Sequence, residues 1–244
     1  MAIPTIVFDL DGTLVDTAPD LIATLNTILA REGLPPVAFA AARNMVGGGA
    51  RHMIERGLAA APSLSSPASG GGLGGGTAQV ERMCAQFIEH YAAHIADHSR
   101  PFPGVEAALD ELLRSGCRLA VCTNKLEWLS LRLLGALGLT DRFAAICGAD
   151  TFGVQKPDAA ILHGTVARAG GHSDSAIMVG DAITDIAVAR AAGIAVVAVD
   201  FGYSETPVAA LRPDRIVSRF EDLPEAVFAL LAAQTGEFPR KVNR

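Results

Sequence analysis

Apolar residues along this chain recur in two rhythms. Residues 3–9 form a short, β-branched run that stops at Gly12, the pattern of a buried strand followed by a loop. From Ala18 the spacing becomes helical: Leu21, Ile22, Leu25, Ile28 and Leu29 share one face until Gly33 and Pro35 stop it. Helical spacing returns at 51–60 and 80–97. Between them, "APSLSSPASGGGLGGGTAQ" (61–79) reads as a flexible Gly/Ser-rich loop, because it has little to bury. Its "GGGLGGG" has neither a preceding strand nor a following Lys-Ser/Thr, so a phosphate-loop reading fails.

After "SRPFPGV" strands and helices alternate. Helical stretches at 106–114, 126–137, 158–169, 183–192 and 222–233 separate the apolar runs of "CRLAVCTN", "FAAICGAD", "SAIMVGD", "IAVVAVD" and "RIVSRF". Such alternation predicts βαβ units and a parallel sheet. The all-helical stretch from about residue 14 to 95 interrupts it after the first strand. The expected architecture is therefore α/β: a doubly wound, Rossmann-like parallel sheet core (1–14 and 98–244) with an inserted all-helical cap (15–97). The tail "GEFPRKVNR" is expected to fray.

Composition narrows the class. At 244 residues, half of them apolar, the chain can bury a full core, and its net charge of −6 without a basic run argues against nucleic acid and anionic membranes. No apolar run has the length of a membrane span, and "MAIPTIVFD" lacks the flank of a signal peptide. The four cysteines, Cys84, Cys117, Cys122 and Cys147, have no CxxC spacing and read as reduced thiols of a cytoplasmic protein. A monomer or a homodimer is expected.

Polar residues gather where the strands end. The first strand gives Asp9 and Asp11, "CTN" gives Thr123 and Asn124, "QKP" gives Lys156, and "GDAITD" gives Asp181 and Asp185. Parallel sheets bind ligands at this edge. Carboxylates without histidine or cysteine suit a hard cation such as Mg²⁺, which would offset the repulsion between Asp9 and Asp11. Lys156 and Thr123 supply the charge and hydroxyl that phosphate oxygens need, and the backbone at Gly12 and Thr13 can offer N–H groups to the same anion.

In order and position, "DLDGTLVDT", "CTN", "QKP" and "GDAITD" resemble the motifs of the haloacid dehalogenase-like hydrolases, in the phosphatase branch with a helical cap after the first motif. The resemblance spans nearly the whole chain. With "VDTAPDL" and "RNMVGGGARHMI" it is most similar to the phosphoglycolate phosphatases. The resemblance implies an Mg²⁺-dependent hydrolase of small phosphomonoesters. Asp9 is the implied nucleophile and Asp11 the acid/base. Implied metal ligands are the Asp9 carboxylate, the Asp11 carbonyl and Asp181, with Asp185 holding a metal water or Lys156. Thr123 and Lys156 would hold phosphoryl oxygens.

Several other residues have plainer readings. Asp16 and Asp20 fit first-turn acids and Thr17 a helix cap. Arg43, beside "VGGGARH", is either a reader of a substrate carboxylate or a surface arginine next to a glycine hinge; Arg51 and His52 are weaker candidates. His90, His94 and His98 fall at zinc-compatible spacing but read as a solvated helix face. Trp128 reads as a half-buried helix residue. A pyrophosphatase or sugar phosphomutase could use the same scaffold, whereas a dehalogenase has no need of Asp11. A non-catalytic phospho-acceptor or binding module would lack Asp11 and so large an insert.

Overall fold

The computed structural model describes residues 3–60 and 76–235. Most of the Gly/Ser-rich loop (61–75) and the tail (236–244) lie outside the described residues.

Six strands form one parallel sheet: β1 (Thr5–Phe8), β4 (Arg118–Cys122), β5 (Ala145–Cys147), β6 (Ala176–Gly180), β7 (Ala195–Val199) and β8 (Arg215–Val217). Their order is β5-β4-β1-β6-β7-β8, so β1 lies between the two directions of winding. In register, Phe8 pairs with Val121 on one side and Val179 on the other, which aligns the carboxyl ends of β1, β4 and β6. That crevice is where an open parallel sheet admits a ligand.

Alternation along the strands sorts the core into two layers. Ile6, Phe8, Leu119, Val121, Ile177 and Val179 face α5 (Val105–Arg114), α6 (Glu127–Ala136) and α9 (Leu223–Thr235). Val7, Ala120, Cys122 and Met178 face α7 (Ala159–Arg168) and α8 (Ile183–Ala192). All four cysteines are free and buried.

Between β1 and α5 the chain runs through α1 (Ala18–Arg31), α2 (Phe39–Ala42), a 3₁₀ turn at Arg43–Met45, α3 (Gly49–Ala60) and α4 (Thr77–Ala93). Leu25 and Ile28 of α1, Met53 and Ile54 of α3, and Met83 and Phe87 of α4 form its interior, continuous with the first layer of the sheet.

Three local expectations change. The insert is not wholly helical: β2 (Val15–Asp16) pairs antiparallel with β3 (Arg100–Pro101), a two-residue ribbon that no periodicity can announce. The helix expected from 80 begins at Thr77, inside the stretch read as loop. It also ends at Ala93, short of 97, because Asp20 captures the chain beyond it. The Asp20 carboxylate accepts from the amides of His98 (3.0 Å) and Ser99 (2.8 Å) and from Ser99 Oγ (2.6 Å), holding both amides outside a helix.

Candidate active site

Asp9 follows β1 directly, and its amide continues the ladder by donating to Val179 O at 2.9 Å. The side chain is buried. Lys156 Nζ lies 2.8 Å from Asp9 Oδ1, but off the line of a hydrogen bond, and that oxygen has no hydrogen-bond partner. The better-aligned bond from Lys156 Nζ goes to Asp185 Oδ1 at 2.6 Å. Asp185 Oδ2 accepts from the amides of Asp181 (3.1 Å) and Ala182 (3.0 Å), so the first turn of α8 holds Asp185 from both ends.

Asp181 ends β6. It accepts from Thr13 Oγ1 on Oδ1 and from the Tyr203 amide on Oδ2, both at 2.7 Å. Backbone presses closely around it. A Cβ at Gly12 would come 2.6 Å from Asp181 Oδ2, and one at Gly202 would come 2.2 Å from Asp181 Cβ. Gly12 also has φ +86°, a conformation costly for any other residue.

Carboxylate oxygens of Asp9, Asp181 and Asp185 lie within 4.8 Å of one another, a density of charge that one ammonium does not cancel. Burial first, then the charge of Asp185, holds the Asp9 carboxyl above its usual range, against the pull of Lys156. Burial, then Asp185 and Asp9, does the same to Asp181. Burial opposes the charge of Lys156, yet Asp185 and Asp9 keep it above the ordinary lysine value. An all-oxygen donor set, excess negative charge and a buried Asp9 oxygen without a well-aligned hydrogen bond fit a divalent cation.

Asp11 faces elsewhere. Its Oδ1 accepts from Thr17 Oγ1 at 2.7 Å and lies 3.1 Å from Lys125 Nζ, and the residue lines a cleft between insert and core. Gly47, Gly48 and Gly49 line the insert side, with Asn124 and Lys125 opposite. Thr123 is buried; its Oγ1 accepts from the Lys125 amide at 3.3 Å, which leaves the hydroxyl proton for another acceptor.

Other sequence candidates are engaged differently from their expectations. The Gly12 amide donates to Val15 O at 3.0 Å, and the Thr13 hydroxyl serves Asp181. Asn124 clamps the backbone of Lys156, accepting from its amide (2.9 Å) and donating to its carbonyl (3.3 Å). Arg43 donates to Phe201 O at 3.0 Å and lies 5.2 Å from the centre of the Tyr203 ring, and it is not among the residues lining the cleft. Thr17 sits at the N-cap of α1, but its hydroxyl caps no amide and bonds Asp11. Asp16 accepts from Tyr203 Oη at 2.5 Å.

The histidine stripe breaks up, with His90 bonded to Thr24, His94 to Asp97, and His98 beyond the helix end. Arg51 pairs with Glu55 and Glu81 on the surface. Trp128 lies on a helix as expected, in α6, at 44 % exposure.

Two residues escaped the sequence reading. Lys125 follows "CTN" directly, so the polar run at the end of β4 is one residue longer than the motif. Tyr203 lies in a loop whose sequence shows no pattern, and only the fold brings its amide to Asp181 and its hydroxyl to Asp16 and the Ala18 amide.

Comparison with known proteins agrees with this geometry. Residues 6–199 match the model of the family described as haloacid dehalogenase-like hydrolase. The phosphoglycolate phosphatase of Caulobacter vibrioides is 47 % identical over 229 residues, covering 94 % of this chain and 92 % of the relative. That of Mesorhizobium japonicum is 48 % identical over 223 residues, covering 91 % and 94 %. A crystal structure from Haemophilus somnus 129PT, described as a predicted phosphoglycolate phosphatase, superposes with a TM-score of 0.81 at 29 % identity, covering 92 % of this chain and 97 % of that one. The chain belongs to the haloacid dehalogenase-like hydrolase family.

Proposed function

We propose that this chain is an Mg²⁺-dependent phosphatase that converts 2-phosphoglycolate to glycolate and phosphate through an aspartyl phosphate on Asp9. The observation that carries the reading is the division of labour between two carboxylates two residues apart. Asp9 joins the buried cluster of Lys156, Asp181 and Asp185, whereas Asp11 faces the cleft. The relatives' names supply the substrate.

In the first half-reaction a carboxylate oxygen of Asp9 bonds to phosphorus and the ester P–O bond breaks. Asp11 gives its proton to the departing glycolate oxygen. In the second, water attacks the phosphorus of the aspartyl phosphate, Asp11 takes the proton, and the bond to Asp9 breaks to release phosphate. Lys156 and the Thr123 hydroxyl hold the phosphoryl oxygens, and Lys156 also offsets the charge of Asp9. Asn124 fixes the Lys156 backbone, while Thr13 and Tyr203 fix Asp181.

Asp9, the Asp11 carbonyl and Asp181 would hold Mg²⁺, with Asp185 orienting Lys156 behind them. When bound, the cation neutralises the phosphate and carboxylate charge that accumulates in phosphoryl transfer. Residues 1–14 and 98–244 would act as the catalytic core and 15–97 as the cap, in a cytoplasmic enzyme that is a monomer or homodimer. Among the described residues, no helix is long and apolar enough to cross a membrane.

Phosphate release from the purified protein with Mg²⁺, measured over phosphoglycolate, sugar phosphates, nucleotides and pyrophosphate, tests the reading. Phosphoglycolate is expected to give the highest kcat/KM, and EDTA to abolish turnover. A higher kcat/KM for a sugar phosphate or pyrophosphate would overturn the substrate. Metal-independent turnover would overturn the cofactor.

A further inference from the structure

A phosphoglycolate phosphatase must recognise a carboxylate as well as a phosphate. Lys156 is engaged with Asp9 and Asp185. Arg43 is bonded to Phe201 O and stacked on Tyr203. Arg51 lines the cleft, but its guanidinium is paired with Glu55 and Glu81.

Lys125 is paired as well, but its partner is Asp11, the residue assigned to meet the leaving oxygen. Lys125 is 8 % exposed, yet it lines the cleft, and its Nζ lies 3.1 Å from Asp11 Oδ1. Its other partner comes from the insert: Lys125 donates to Tyr91 Oη at 3.1 Å and lies 4.4 Å from the centre of that ring. Burial opposes the charge of Lys125, but Asp11 first and Tyr91 second keep it well above the ordinary lysine value. The site therefore holds a fixed ammonium against the carboxyl assigned to meet the leaving oxygen.

We infer that Lys125, backed by Tyr91, binds the carboxylate of the substrate's leaving group and so selects short 2-phosphono-oxy acids over neutral esters; this rests on the phosphatase reading above. Geometry limits the chain length. The leaving oxygen must come within a hydrogen bond of Asp11, whose Oδ1 lies 3.1 Å from the ammonium, so the two lie within about 6 Å when they share that oxygen and within about 8 Å when the leaving oxygen uses the other. In 2-phosphoglycolate the carboxyl carbon is two bonds from the ester oxygen, which places its oxygens within that reach. A longer acid must order an extra torsion to bring its carboxylate to Lys125 while its leaving oxygen stays on Asp11. Tyr91, which lines the same cleft, adds a constraint: its hydroxyl accepts from the ammonium and its ring centre lies 4.4 Å away, so the lysine is held from the insert as well as from the core.

The test compares kcat/KM for 2-phosphoglycolate, 3-phosphonooxypropionate and ethyl phosphate in the wild type and in Lys125→Met. Wild type is expected to favour 2-phosphoglycolate over ethyl phosphate by about 10- to 100-fold, the range of a charge-assisted hydrogen bond, and the longer acid is expected to fall between them. Lys125→Met should lower the ratio at least tenfold. It should also weaken competitive inhibition by glycolate, a readout of binding alone. Lys125→Arg should restore part of the ratio. If Lys125→Met is not folded by circular dichroism, Lys125→Gln, which keeps a donor and the volume, takes its place with the same expectations. Equal losses on all three esters with the ratio retained would show that Lys125 only positions Asp11, overturning the inference while leaving the phosphatase reading intact. A wild type without preference for 2-phosphoglycolate over ethyl phosphate would overturn the carboxylate role as well as the phosphoglycolate reading, even with phosphatase activity present.

Discussion

Lys156 Nζ donates to Asp185 Oδ1 at 2.6 Å while lying 2.8 Å from Asp9 Oδ1, so the nucleophile candidate shares its cation with a carboxylate from α8. The sharing has a consequence for reactivity. A lysine bonded wholly to Asp9 would draw electron density from the oxygen that must attack. Shared with Asp185, Lys156 lowers the local charge while withdrawing less density from Asp9 than an unshared ammonium would. Asp185 also accepts from the amides of Asp181 and Ala182, which fixes where Asp181 begins.

Asp185→Asn should therefore lower activity through its neighbours. The carboxamide has only one oxygen on which to accept, so either Lys156 or the two amides lose their acceptor. A loss of about 10- to 100-fold in activity or metal affinity is expected, as for groups that orient metal ligands. Titration of activity with Mg²⁺ checks it: the half-saturating concentration should rise. An unchanged metal requirement together with unchanged kcat would remove Asp185 from the mechanism.

Asp9→Asn should abolish turnover and leave the fold intact. The amide is nearly isosteric but a poor nucleophile, and it removes one of three crowded negative charges. In EDTA the variant should therefore melt at or above the wild-type temperature, which separates lost chemistry from lost structure. Wild-type kcat in the purified variant would exclude Asp9 as the nucleophile.

How far the sequence reveals this arrangement depends on what kind of pattern carries it. The sheet was legible because β1, β4, β6 and β7 are short apolar runs between helices of regular spacing, and α8 falls on the expected span Ile183–Ala192. Asp9 and Asp181 are legible because strand ends in a parallel sheet must converge, Asp185 because it lies one helical turn beyond Asp181, and Lys156 from the "QKP" motif just before a helix. What escaped depends on contacts between distant segments. Nothing local marks Val15–Asp16 as a strand, since its partner is Arg100–Pro101 on the far side of the insert. Nothing near Asp20 says that it will hold Ser99, and that bond decides where α4 can no longer continue. Arg43 was placed beside the glycines of its own segment, but a long side chain follows its acceptor, and Phe201 O lies across the molecule.

Arg43→Ala offers a control for the specificity of Lys125. Its guanidinium holds Phe201 O and covers the ring of Tyr203, whose amide bonds Asp181. Losing it should loosen the loop that positions Asp181. The expected result is a similar fall in kcat/KM for 2-phosphoglycolate and ethyl phosphate, on the order of tenfold, with a weaker Mg²⁺ response. A loss confined to 2-phosphoglycolate would instead place Arg43 at the substrate carboxylate.

Asp11→Asn should separate the two half-reactions by leaving group. Removing a general acid/base costs about 10²–10⁴ in rate. Formation of the aspartyl phosphate from a nitrophenyl ester should be nearly spared, because that leaving group departs without a proton, while glycolate release should suffer the full loss. Single-turnover phosphorylation of the enzyme by each ester gives the comparison. Equal losses on both esters would mean that Asp11 acts by holding Thr17 and Lys125, not by moving a proton.

The last expectation joins pH, metal and stability. In the metal-free protein Asp9 and Asp181 sit above the ordinary aspartate value of 3.8, raised by burial and by the neighbouring Asp185 charge. Above that value the folded protein holds more protons at these two groups than the unfolded chain does. Stability changes with pH as the protons bound unfolded minus those bound folded, which is negative here, so this cluster makes the metal-free protein less stable as pH rises. Lys156 is raised as well, from 10.5, so its contribution stays constant through neutral pH and is lost only when the solution becomes strongly alkaline. Mg²⁺ binds the folded carboxylates in their charged form, so its stabilisation grows over the same interval. Melting temperatures measured in EDTA and in excess Mg²⁺ between about pH 5 and pH 8 should therefore diverge as pH rises. Histidines and surface acids act in both series and cancel in the difference. In Asp9→Asn the divergence should shrink, because one of the two titrating ligands is gone. A gap independent of pH would show that the cluster does not exchange protons for the cation.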